Sequence, residues 1–178
     1  MQMKWTIVWS LTLISGIVGC QQSSTPAAGN ASSERPAVDG SAYLLPSEPE
    51  GAKDVIAVRE AAADGEEVLV VGRIGGSENP WIDGRAAFSI VDNSLKACSD
   101  IPGDTCAKPW DYCCETPALP SSTALIKVVD QSGELVGADA RELLNVQELS
   151  TVVVRGKAER DESGNLTVLA TGVYVAKK

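Results

Sequence analysis

Four of the five cysteines, Cys98, Cys106, Cys113 and Cys114, lie in the stretch KACSDIPGDTCAKPWDYCCETP. Thiols at this density either pair as disulfides or, as thiolates, hold a soft metal ion. Their even number favours two disulfides, for which three pairings exist. Joining Cys113 to Cys114 would link Cα atoms ~3.8 Å apart, below the disulfide window. That leaves Cys98–Cys113 with Cys106–Cys114, or Cys98–Cys114 with Cys106–Cys113. Either would staple a loop over residues 97–118, each bridge contributing on the order of 3 kcal/mol. The alternative is four thiolates around zinc, copper(I) or an iron–sulfur cluster. Against it, no pair has the two-residue spacing of zinc ribbons, and neighbouring cysteines on an extended chain point apart. Disulfides are therefore the first expectation, and no Cys-x-x-Cys motif signals redox catalysis.

The chain has 178 residues, 15 Lys+Arg, 24 Asp+Glu and no histidine. The missing imidazole excludes Ser–His–Asp and Cys–His nucleophile systems and every histidine metal ligand. No phosphate-binding glycine loop and no Ser-x-x-Lys in the folded part point to an enzyme or an organic cofactor. A net charge of −9 argues against a nucleic-acid partner. Aromatic and acidic residues do gather around the cysteines: Trp81, Asp83, Trp110, Asp111 and Tyr112 form a candidate binding face. The simpler role for Trp110 and Tyr112 is to cover the fold and pack on the disulfides. Asp100, Asp104 and Glu115 lack EF-hand spacing and read as a solvated face.

The N-terminus carries an address. Lys4 precedes an apolar run, Trp5 to Val18, shorter than the ~20 residues of a membrane span. The run ends in Ile17-Val18-Gly19-Cys20, which resembles the lipobox of bacterial lipoproteins. The resemblance implies a signal peptide over 1–19, acylation of Cys20 and cleavage before it. The mature protein is then a lipid-anchored, periplasm-facing component of the cell envelope, and Gln21 points to the outer membrane. Its partners are the bilayer, through acylated Cys20, and an envelope protein or small ligand. Residues 20–52 are rich in Ser, Ala, Pro, Gly and Glu and read as a disordered tether. Within it, Ala42 to Pro46 is a segment that docks on the domain or serves as a recognition peptide.

The elements that position the cysteines follow from periodicity. Asp54 caps a short helix from Val55 to about Ala62, closed by Asp64-Gly65. Glu66 to Ile74 and Ala86 to Asp92 alternate as strands, with Phe88 and Ile90 inward. Residues 93–122 form an irregular insertion, followed by a third strand at Ala124, Ile126 and Val128. Asp139 caps a helix to about Val146. Thr151 to Ala158 and Leu166 to Val175 are strands joined by the Asp161–Asn165 loop. Three strands, a helix and a final hairpin match the order of an OB-fold, with an open β-sandwich as the rival. The segments EEVLVVGRI, FSIVD and VVVRGKAERDESGNLTVLATGVYV resemble small exported bacterial OB-fold proteins. The expectation is an all-β domain over 53–178: a five-stranded Greek-key barrel with one or two short helices and a Cys-rich insertion between strands two and three. Such barrels bind ligands on the face of those two strands. The functional expectation is a lipid-anchored, non-enzymatic binding or interaction module, with a metal-binding lipoprotein as the alternative.

Replacing Cys20 with Ser should abolish lipid attachment and cleavage at the 19–20 bond. Membrane retention and mature mass of the variant check this; unchanged values would refute the lipobox assignment.

Overall fold

The computed structural model describes residues 38–176. The expected signal peptide, Cys20 and the tether as far as residue 37 lie outside the described residues. The strands are β1 (Lys53–Asp54), β2 (Glu67–Ile74), β3 (Ala87–Val91), β4 (Thr123–Val128), β5 (Thr151–Arg160) and β6 (Leu166–Val175). Short helices are α1 (Val55–Ala61), α2 (Leu119–Ser122) and α3 (Ala140–Leu144).

Strands β2 to β6 close into the expected OB-like barrel. β2 pairs antiparallel with β3, β3 with β4, and β4 runs parallel to β6. β6 pairs antiparallel with β5, and β5 returns to β2 over seven register pairs, from Glu67↔Lys157 to Arg73↔Thr151. Period-two alternation turns Val68, Val70 and Ile74 of β2, Phe88 and Ile90 of β3, and Ile126 and Val128 of β4 inward. Each such side chain contributes roughly 1.5–3 kcal/mol when buried. In β6 the inward set shifts from Leu166, Val168 and Ala170 to Val173, because a bulge opposite Arg155/Gly156 inserts one residue.

Both ends of the barrel are plugged. Asp139 accepts the Arg141 amide at 2.9 Å to cap α3, and Asn145 ends it in the left-handed region. Leu143, Leu144 and Val146 then join the core. At the opposite end α1 inserts Val55 and Val58, and Arg59 donates to the Thr123 carbonyl at 2.8 Å. β1 pairs with β2 at Lys53↔Val70 and Asp54↔Val71. β3 has already left β2 there, pairing only at Arg73↔Val91 and Ile74↔Ile90. β1 thus fills a gap in the barrel wall; at two residues it is too short to show a period in the sequence.

The composition assigned residues 20–52 to a disordered tether, and the structure corrects this for 38–52. Asp39 accepts the Ser41 amide and opens a 3₁₀ turn at Gly40–Tyr43. A Cβ on Gly40 would fall 1.8 Å from the Leu143 carbonyl oxygen, so only glycine fits this approach to α3. Tyr43 packs on the core, Leu44 bridges Val173, and the Leu45 amide donates to the Val173 carbonyl at 2.9 Å. The segment docks by backbone contact with few apolar side chains, which is why its composition resembled a linker.

Asp92 ties α1 to the start of the insertion. It is 3% exposed and accepts the Ile56 amide at 2.8 Å, the Ser94 amide at 3.0 Å and the Ser94 hydroxyl at 2.6 Å. Burial pushes its carboxyl up, but these three bonds outweigh burial and hold it below the usual value. A depressed carboxyl contributes stability that is present above its unfolded value, ~3.9, and lost as pH falls through the folded value. Asp92→Asn should therefore cost about 1.5–3 kcal/mol at neutral pH. Denaturant titrations should show the gap to wild type narrowing below about pH 4; a pH-independent gap would contradict this role.

Candidate functional site

The insertion between β3 and β4 is the Cys-rich loop, and the structure shows how its cysteines meet. Cys98–Asp100 forms a 3₁₀ turn. The Cys98 amide donates to the Asp111 carbonyl at 2.8 Å and the Ser99 amide to the Pro109 carbonyl at 2.9 Å. These bonds lay the two arms of the loop side by side. Asp104 accepts the Cys106 amide at 3.2 Å, turning the tip back toward them. Cys113–Glu115 is a second 3₁₀ turn, not the extended segment expected from sequence. Adjacent cysteines in such a turn need not point apart, and the Cys113 and Cys114 sulfurs are 4.0 Å from each other.

Three sulfurs converge. Cys98 Sγ lies 3.3 Å from Cys113 Sγ, and the sulfurs of Cys98, Cys106 and Cys113 all lie within 4.8 Å of one another. A disulfide requires ~2.05 Å, and no pair among the four cysteines of the loop is at that distance. Metal–sulfur bonds of ~2.3 Å put neighbouring sulfurs about 3.8–4.0 Å apart in tetrahedral or trigonal sites. The observed spacing brackets that value. The trio is graded in exposure: Cys98 is 1% exposed, Cys106 half-buried and Cys113 exposed, as is Cys114.

Burial pushes the Cys98 thiol up to about 12, and its contact with Cys113 adds to the rise. For Cys113 the bond to Cys98 pulls the other way, but the Cys114 thiol and desolvation carry it above the ordinary thiol value. Neither is an activated nucleophile, which needs a lowered value and a nearby cation. A thiophilic cation can displace such protons.

Two ion pairs fasten the loop to the barrel. Arg73, on the outer face of β2, binds the Asp100 carboxylate, which also accepts the Ala97 amide at 3.1 Å. The Arg73 bond dominates over burial in holding Asp100 below the usual carboxylate range. Lys108 pairs with Glu78, whose carbonyl accepts the Trp110 indole N–H at 3.1 Å. Tyr112 is fully buried and seals the loop against the barrel with Val91, Leu95 and Ala97, flanked by Ala118, Leu119 and Leu149. Its ring passes so close to Gly75 that a Cβ there would fall 2.6 Å from a ring carbon. Among the described residues the Tyr112 hydroxyl finds no hydrogen-bond partner.

The expected binding face of Trp81, Asp83, Trp110, Asp111 and Tyr112 divides into two groups. Trp110, half-buried, and Tyr112 belong to the loop, where Asp111 accepts the Tyr112 amide at 2.7 Å. Trp81 was expected on a loop surface but is buried in the barrel core. Its indole donates to Glu148 at 2.7 Å, and its ring centroid lies 5.9 Å from that of Phe88. The Arg141 guanidinium covers it at 5.5 Å and is itself held by Asp139 at 2.6 Å and Asp83 at 3.3 Å. Set between Pro80 and Ile82 in a turn-rich stretch, Trp81 carried no periodic signal of burial. The outer face of β3, where OB barrels bind ligands, is covered at Val91 by the Tyr112 cluster. Arg73 and Gly75 were missed as site residues. Nothing in the sequence marks them except a cation on an otherwise apolar strand and the Gly-Gly that follows it.

No protein-family model matches the chain, and no curated protein is significantly similar to it. Geometry alone therefore generates the expectation for Tyr112. A buried hydroxyl without a partner costs about 1–3 kcal/mol, so Tyr112→Phe should leave stability unchanged or raise it. Tyr112→Ala should lose about 3–5 kcal/mol from the loop cluster. Urea denaturation checks both; a destabilised Phe variant would show that the hydroxyl has a partner.

Proposed function

We propose that the protein is a lipid-anchored component of the bacterial cell envelope whose OB-like barrel is a non-enzymatic binding module. Its ligand is a thiophilic metal ion, bound in the 97–118 loop by Cys98, Cys106 and Cys113. The observation that carries the metal reading is the convergence of three sulfurs within 4.8 Å with none at bonding distance. A two-disulfide loop would divide the four thiols into two pairs, whereas Cys106 stands with both Cys98 and Cys113.

The physics of the loop supports the same reading. Ordering each residue costs about 1–2 kcal/mol of backbone entropy. The cluster over this long segment has only four buried members, Val91, Leu95, Ala97 and Tyr112. A cross-link at the cysteines supplies what that small cluster lacks, as structural metal sites do in small domains. The anchor rests on the Ile17-Val18-Gly19-Cys20 motif, and no polybasic patch accompanies it. Net negative charge and the covered outer face of β3 weigh against a nucleic-acid partner.

Intact-mass and metal analysis of the full chain as isolated, with and without reductant, tests the proposal. The expected result is four free thiols in the loop and one bound metal ion per chain. A chain four hydrogens lighter that carries no metal would establish two disulfides and overturn the metal reading.

A further inference from the structure

The loop offers a soft cation three donors, not four. Among the described residues, the sulfurs of Cys98, Cys106 and Cys113 are the grouped donors, with no carboxylate oxygen in the set. The whole chain has no imidazole to complete one. Structural zinc sites and iron–sulfur clusters use four protein ligands. An all-sulfur set of three suits a monovalent d¹⁰ ion of the copper(I) class, which thiolates select and which is satisfied by trigonal coordination.

The fourth thiol stands apart. Cys114 is exposed, lies 4.0 Å from Cys113 and is not in the converging trio. Exposure falls from Cys114 and Cys113 through Cys106 to Cys98, so the donors form a path from solvent to a buried end. We propose that the loop binds copper(I) through Cys98, Cys106 and Cys113, and that Cys114 is the exchange ligand through which the ion enters and leaves. This assignment rests on the metal-binding reading above and names its ion and its route.

The exchange balances without any change of oxidation state. An arriving ion forms sulfur bonds to Cys113 and Cys114, each thiol losing one proton. Cys98 and Cys106 then form their bonds, releasing two more protons. The bond to Cys114 breaks, and its thiolate takes one proton back. Three copper–sulfur bonds and three released protons remain. Departure runs in reverse, with an acceptor's soft ligand taking the place of Cys106 and then Cys98 while Cys113 and Cys114 hold the ion.

The test uses the reduced full chain under anaerobic conditions, loaded with one equivalent of copper(I). X-ray absorption counts the sulfur neighbours, and transfer to the chelator bicinchoninate is followed in time. Wild type should show three sulfur neighbours. Cys114→Ser should keep one copper, three sulfur neighbours and unchanged affinity, but lose the fast phase of transfer. Cys113→Ser should lose more affinity than the roughly 10–100-fold that outer-shell changes cost. Because Cys113 and Cys114 are both exposed, neither variant removes a core side chain. Four sulfur neighbours in wild type, a weakened Cys114→Ser site, or unchanged transfer kinetics would each overturn the assignment. So would displacement of the copper(I) by equimolar zinc. Zinc held on four sulfurs would leave the metal-binding reading standing and remove only this one. A reduced chain that binds no metal would remove both.

Discussion

The structure depends on holding together two arms of a loop that lacks a core of its own. Cys98 and Cys113 meet at 3.3 Å where those arms cross. Tyr112 next to Cys113, and Ala97 next to Cys98, are the residues that press the loop onto Val91. The meeting point of the sulfurs and the seal over the barrel wall are therefore adjacent parts of one unit. If the arms separate, Val91 and the outer face of β3 open to water. The barrel behind it does not share this dependence, because its core is filled from five strands and plugged by α1 and α3.

This division puts the loop over one end of the usual ligand surface of an OB barrel, at Val91 on the outer face of β3. The same loop carries the four cysteines. Arg73–Asp100 and Lys108–Glu78 pin the cover at two points. The side chains of both pairs are partly exposed, so each is worth at most about 1 kcal/mol. They orient the loop without being strong enough to hold it alone, and the Tyr112 cluster and the bonds between the arms carry the rest.

Much of the barrel was legible in the sequence because closed sheets write themselves in period two. Val68-x-Val70, Phe88-x-Ile90 and Ile126-x-Val128 each gave strand and facing together, and Asp139 marked α3 by its capping chemistry. The features that escaped leave no periodic trace. β1 is two residues long, and the 39–45 strap, for which only docking of 42–46 was among the expectations, is held by backbone hydrogen bonds and the close approach of Gly40. Trp81 is a single large side chain between turn residues. At the site, sequence named all four cysteines but not their grouping. The turn at Cys113–Glu115 and the crossing of residues 98–99 with 109–111 decide which sulfurs meet, and both arise from long-range backbone bonds.

The most direct test of the account is amide hydrogen exchange on the reduced full chain, with and without a thiol-competing metal chelator. The amides of Cys98 and Ser99, bonded to the Asp111 and Pro109 carbonyls, report on the crossed arms; those of β5 report on the barrel. A loop cross-linked by metal predicts that chelation releases protection at Cys98 and Ser99 while β5 stays protected. Protection at Cys98 and Ser99 that survives both reductant and chelator would contradict it.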